Sequence, residues 1–425
     1  MNMPTFVSQR LSSVIRIKKG FFGCWIFLLC ATVFPGTAAE LHRTQWAQDI
    51  NYYADQLTAK HIDPYHSMAQ QDFRINLQLL KSDLPQLSEN QVLVRMMQLT
   101  HKIGDGHTAF PLWGNEIHKL PIRLNSIQGK LIVTATTDEV TDILGSELRL
   151  VNGVAVRDVA EQLSGLVPFA ENPYSSAVRV AQYATVAEVL NGLGLLSDDY
   201  TGEFSFVKNG VALSKTLRAS KDPKFDRALH HHHPLSENKI KTIGEGLWFS
   251  AAMDKQSVYV KFARYPNKRD MHDFARALLK YIEHNRSQHF IIDLRDNYGG
   301  DFFVGLTLAE YLVRADSLDW QSGGYVLINN TTYSAAMSNA AQFSRLLNAR
   351  LVGEPTGAKP KGFQDLGEFT LPNSNWVVTY SKRYYDFTGS DDDALYPTIP
   401  INVRLEDYLA KNDVALNWVL EQVNW

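Results

Sequence analysis

From residue 246 onward the chain alternates apolar runs with helical periodicity, and the run at 289–294 is almost wholly apolar. A strand with one face in water alternates apolar and polar residues; one that hardly alternates is covered on both faces, as in a sheet between layers of helices. The pattern therefore predicts an α/β core with ligands at the carboxyl ends of the strands. Strands are expected at 258–262, 289–294, 326–328 and 349–353, a hairpin at 368–371 and 377–380, and helices at 271–282, 303–313 and 413–422.

The strand opening at Val326 gives way to Asn-Asn-Thr-Thr-Tyr-Ser and then to a helical pattern containing Ala335, Ala336, Ala340 and Ala341. Ser334 thus sits where strand becomes helix. A hydroxyl there meets free backbone N–H groups and the positive end of the helix dipole, both of which favour a developing oxyanion. Serine before a helix is also the usual N-cap, so this stretch alone leaves both roles open. Arg295-Asp296-Asn297-Tyr298-Gly299-Gly300 follows the neighbouring strand, so N–H groups from Gly299 or Gly300 and from Ala335 are placed to cradle one oxyanion.

Upstream, residues 40–112 carry helical spacing in Trp46, Ile50, Tyr53 and Leu57, then in Phe73, Ile75, Leu79, Leu80 and Leu84, then, after the cap offered by Ser88-Glu89-Asn90-Gln91, in Val92, Leu93, Met96, Met97 and Leu99. The third helix runs into Gly104-Asp105-Gly106-His107-Thr108. Two glycines around an aspartate make a tight turn that presents His107 from a loop, a position suited to acid/base work or simply to bonding the turn.

Residues 113–225 differ: short strands at 119–124, 131–136 and 147–151, turns at Gln128-Gly129 and Asn152-Gly153, and a helix at 156–163. This order resembles a degenerate PDZ-like α+β module lacking an evident glycine-rich carboxylate-binding loop. A polar linker, 226–245, contains His230 to His233. Adjacent side chains do not converge from one regular element, so these read as a solvated tract rather than a metal centre, and no other cluster has metal-ligand spacing.

Residues 1–39 have the form of a signal peptide: Arg10, Arg16, Lys18 and Lys19, an apolar run from Phe21 to Phe34, then Pro-Gly-Thr-Ala-Ala. The run is short for a membrane span, so membrane attachment is expected only through an uncleaved anchor. Both cysteines, Cys24 and Cys30, fall inside this segment, which leaves the remainder without disulfide or thiolate chemistry. Four of the 42 basic residues also lie there, and the rest are outnumbered by 45 acidic ones, which argues against nucleic acid. Export without disulfides suggests a bacterial periplasm or cell surface.

Taken together, 294–300, 332–336, the Gly353-Glu354-Pro355-Thr356-Gly357 segment, Asp105-Gly106-His107-Thr108 and His61-Ile62-Asp63-Pro64-Tyr65-His66 resemble the S41 serine peptidases, which include the C-terminal processing and tricorn-like proteases. The resemblance implies an α/β catalytic core with a mixed sheet (246–425), Ser334 as nucleophile, and oxyanion donors at Gly299 or Gly300 and Ala335. For the general base it offers His107, as in the tricorn-like branch, or Lys359, at the lysine position of the processing branch. Histidine needs less tuning near neutrality and is preferred. The orienting acid is expected in the loop Asp391-Asp392-Asp393, with Asp392 or Asp393 in that role. A peptide or protein substrate is implied, and no cofactor. A noncatalytic peptide-binding scaffold on the same fold is the alternative of another class, and other acyl substrates would suit the same constellation.

Overall fold

A computed structural model of the chain describes residues 43–229, 235–252 and 256–423. The expected signal segment and His230 to His233 lie outside them. Among the described residues no helix is long and apolar enough to cross a membrane.

The core sheet has seven strands in the spatial order Ile399–Pro400, Arg350–Gly353, Gly324–Ile328, His289–Asp293, Ser257–Phe262, Leu247–Ala252 and Lys239–Ile243. The first five are parallel; the last two pair antiparallel and make the sheet mixed. Its central strands are covered on both faces, as their lack of alternation predicts. Val258, Val260, Phe290, Ile292, Val326 and Ile328 pack with the helices Lys268–Asn285, Phe302–Leu312 and Ala335–Leu346. Tyr259, Ile291, Tyr325 and Leu327 pack on the other face with the helix Val414–Val423. Neither antiparallel strand is among the expected ones: Lys239, Lys241 and Thr242 give the edge strand no apolar run, whereas Leu247–Ala252 is an apolar run that the expected strands omit.

A second sheet is antiparallel throughout, in the order Ile122–Ile127, Lys130–Thr136, Glu147–Val151, Thr201–Lys208 and Val211–Arg218. The helices Val156–Ser164, Pro173–Tyr183 and Ala187–Gly192 accompany it. Its apolar face shares one core with the N-terminal helices Arg43–Lys60, Gln70–Asp83 and Glu89–His101. The last of these begins with the capping box that Ser88 and Gln91 anticipate. Arg227–Ala228 pairs with Lys130–Thr136 and Lys239–Ile243 with Leu247–Ala252, so the expected linker is bound to a sheet at both ends.

The expected short hairpin is longer, Lys361–Thr370 against Val377–Asp386. Asp365, with φ 62°, and the facing Lys382 are both skipped in its pairing, and the register is the same on either side of them. Phe369 and Val378 of this hairpin lie in the core of the N-terminal helices. That packing carries the C-terminal half of the chain onto the loop that holds His107.

Candidate active site

Ser334 begins the helix Ala335–Leu346 with φ 53° and ψ −125°, a conformation L-residues seldom adopt. Its side chain caps no helix N–H, so the usual reason for serine at such a junction does not apply here. Oγ instead lies 2.9 Å from Nε2 of His107. Ser334 is half-buried and His107 is 3% exposed, which leaves the hydroxyl reachable and the imidazole largely dry.

The nucleophile turn is tied to the turn after the adjacent strand. Tyr333 N–H donates to Asn297 O at 2.9 Å, Thr332 Oγ1 donates to Leu294 O at 3.0 Å, and Asn297 Nδ2 reaches Phe262 O at 2.6 Å. Beneath them Arg295 bonds Asp293 and Asp413, and Tyr259 donates to Asp293 at 2.6 Å. The buried Asp293 carboxyl is held below the usual range against the cost of burial, chiefly by Arg295 and Lys261. The same pairing joins the turn to the start of the last helix.

Gly299 has φ +106°, and a Cβ on it would lie 2.8 Å from Ser334 Cβ and 3.1 Å from Ala335 N. Glycine is required both by conformation and by this approach. Gly299 N–H donates to Asn297 Oδ1 at 2.9 Å. Of the two glycines expected as oxyanion donors, Gly299 is therefore engaged within its own turn. The N–H groups of Gly300 and Ala335 have no hydrogen-bond acceptor among the described residues.

His107 is placed from the other side. Thr379 on the hairpin exchanges backbone hydrogen bonds with Ala109, and its Oγ1 donates to His107 O at 2.8 Å. Asp105 is the hub. Its Oδ1 accepts N–H from His107 at 3.0 Å and from Thr108 at 2.7 Å, and Oγ–H from Ser381 at 2.6 Å; Oδ2 accepts from His61 Nε2 at 2.9 Å. Burial alone would raise the Asp105 carboxyl, but the bonds from His61 and Ser381 hold it down at about 2. Burial pushes the His107 imidazole down to about 4, against the pull of the Asp105 and Asp365 charges and the nearby Phe363 backbone. Nδ1 of His107 is buried and makes no hydrogen bond of good geometry.

The acidic loop does not serve His107. Asp391 pairs with Lys361, Asp392 accepts from Ser390 Oγ at 2.7 Å, and Asp393 accepts from Tyr396 Oη at 2.6 Å. All three are exposed, so their carboxylates are satisfied by water and immediate neighbours, and the expectation for Asp392 and Asp393 is corrected. Lys359 enters the site through its backbone, donating N–H to Glu171 Oε1 at 3.3 Å; no bond joins its side chain to Ser334 among the described residues.

Three acids near the site, Asp105, Glu171 and Asp365, lie outside the sequence expectations, Asp365 acting on His107 through its charge. Asp105 is legible within the histidine turn, where the local pattern gives it only a role in the turn's geometry. Glu171 precedes the helix Pro173–Tyr183 and gives no local signal. Its loop docks through Asn172, whose Nδ2 donates to Thr356 O at 3.0 Å and Asp393 O at 2.9 Å. A Cβ on Gly106 would come within 2.6 Å of Glu171 Cδ, so that glycine permits the contact. Burial and the Asp105 charge push the Glu171 carboxyl up to about 8.

His61, His66 and Asp105 lie close enough to share a cation. His61 Nδ1, however, accepts the Asp63 N–H at 2.9 Å, so the proton sits on Nε2 and is donated to Asp105. That is the wiring of a hydrogen-bond network rather than of a ligand set.

No protein-family model and no curated protein matches the sequence. Solved structures do match. Mature CPAF complexed with lactacystin aligns with a TM-score of 0.60 at 12% identity, over 90% of this chain and 97% of that one. Mature CPAF alone gives 0.59 at 13% identity, over 90% and 96%. A photosystem II D1 C-terminal processing protease aligns at 0.41 and 14% identity, over 88% and 98%. With a mixed sheet whose strand ends carry Gly299 and Ser334, the chain has the fold of the S41-type peptidases that its motifs resemble.

Proposed function

We propose that the chain is an exported serine peptidase that works through an acyl-enzyme on Ser334. The observation carrying this reading is the 2.9 Å contact between His107 Nε2 and an Oγ that caps nothing and is held on a strained backbone. Neutral His107 takes the Oγ proton as the hydroxyl attacks a peptide carbonyl, and the oxyanion is met by the N–H groups of Gly300 and Ala335. The imidazolium gives that proton to the leaving amine, and water then hydrolyses the ester by the same route. The Asp105 carboxylate stabilises the imidazolium through space and holds its backbone. The antiparallel module, with its Asn152-Gly153 turn and the helix Val156–Ser164, is taken as PDZ-like.

A Ser334/Lys359 dyad has no supporting contact, and a noncatalytic scaffold would have no use for the strain at Ser334. A fluorophosphonate probe tests the reading. Wild-type protein should label. Ser334→Ala should not, His107→Ala should label at least about 10²-fold more slowly, and Lys359→Ala should stay within a few-fold of wild type. Absence of labelling in the wild type overturns the enzyme reading; loss in the lysine variant with retention in the histidine variant overturns the choice of base.

A further inference from the structure

The helix Pro173–Tyr183 carries Arg179 to the rim of this site. Its Cζ lies 4.9 Å from the ring centroid of Tyr298, 5.5 Å from that of Phe169 and 5.8 Å from that of Tyr333. Tyr298 immediately precedes the glycine turn and Tyr333 immediately precedes Ser334. The Tyr333 ring also stacks on His107, centroid to centroid 5.7 Å, so one ring lies against both the imidazole and the guanidinium. Arg179 is half-buried, and Tyr298, 45% exposed, opens this corner to solvent.

Among the described residues no carboxylate forms an ion pair with Arg179. Nη1 donates to Gln182 Oε1 at 2.9 Å, and Gln182 Nε2 in turn holds Tyr298 Oη at 3.1 Å. The neighbouring acids are otherwise engaged: Asp105 by its four donors, Asp365 by Lys382 and Arg383, Glu171 by the Lys359 N–H. Aromatic faces fix a guanidinium and strip part of its water, yet leave most of its five in-plane N–H donors available. A rigid, partly dehydrated fork of donors lacking an anion suits a carboxylate, which it holds bidentately.

We propose that Arg179, framed by Phe169, Tyr298 and Tyr333, is a carboxylate-binding subsite that selects peptide substrates bearing an acidic side chain or a free C-terminus near the scissile bond. This rests on the peptidase reading for its consequence in catalysis, while the binding itself does not.

Four synthetic peptide libraries on one mixed core test it: free C-terminus or C-terminal amide, each with Asp and Glu present or replaced by Asn and Gln. In wild type, kcat/KM for libraries with a carboxylate should exceed that for their neutral counterparts about 10-fold, the value of one charge-assisted contact. The pair of libraries that differs identifies which carboxylate is bound. In Arg179→Gln that ratio should collapse to near one, and Arg179→Lys should keep part of it. Because each ratio is taken within one protein, a general loss of folding does not imitate the result. Binding of the same peptides to Ser334→Ala, followed by fluorescence anisotropy, reads the subsite without turnover and should show the same order. Equal kcat/KM or equal binding across all four libraries in arginine-containing protein overturns the subsite, as does a ratio that survives Arg179→Gln. Carboxylate-selective binding with no cleavage of any library upholds the subsite and counts against the peptidase reading.

Discussion

Asp105 and His107 are joined through the backbone: Oδ1 of the aspartate accepts the histidine's own amide N–H at 3.0 Å, while the histidine's Nδ1 has no carboxylate partner. An acid that orients a catalytic imidazole usually does so through the ring. Here the loop is held rigid and the charge acts through space. Asp105→Asn keeps the shape and removes the charge, and should slow Ser334 labelling about 10–100-fold. Without the charge that raises it, the imidazole should titrate lower still, so the acid limb of the labelling rate should move to lower pH. A limb that stays in place would mean that Asp105 acts on the fold alone.

The wild-type limb has its own position. Burial holds the His107 imidazole at about 4, so it remains neutral and able to accept a proton well below the ordinary histidine range. The labelling rate should stay level from pH 7 to about 5 and halve near pH 4. Halving near 6.5 would show an imidazole in contact with water.

Asp105 also links stability to pH. Its carboxyl is held at about 2 in the fold, below the unfolded value of 3.8, so its contribution is fully present above about pH 4 and lost as pH falls toward 2. The shift corresponds to about 2 kcal/mol. Urea midpoints measured between pH 5 and 2 should fall more steeply for wild type than for Asp105→Asn.

Strain at Ser334 predicts opposite effects of two small substitutions. Ser334→Ala keeps φ 53° and its cost, whereas Ser334→Gly adopts the same backbone freely. Both should be inactive, with the glycine variant melting about 1–2 °C above the alanine variant. The reverse order would show that the turn is not strained.

Gly299→Ala should reduce labelling about 100-fold or more, because the added Cβ would meet Ser334 Cβ and Ala335 N and displace the hydroxyl. Its circular dichroism should match wild type, separating a displaced nucleophile from an unfolded chain.

The sequence by itself determined what is local. The apolar runs around Phe290 and Val326 require a sheet covered on both faces, the Ser88 box starts its helix, and the position of Ser334 between strand and helix follows from the change of period. The glycine turn could likewise be placed at the end of the neighbouring strand. Tertiary structure decided which polar groups meet. His107 reaches Ser334 across 227 residues only because the long hairpin packs on the N-terminal helices and bonds the histidine loop through Thr379 and Ser381. The aspartates at 391–393, legible as a motif, remain in water, while Glu171 and Arg179, ordinary residues of a different module, arrive at the site because their helix docks there. Periodicity records which face of an element is apolar. A hydrogen bond or a charge effect depends on ångström distances between elements, and these are fixed only when the cores have packed.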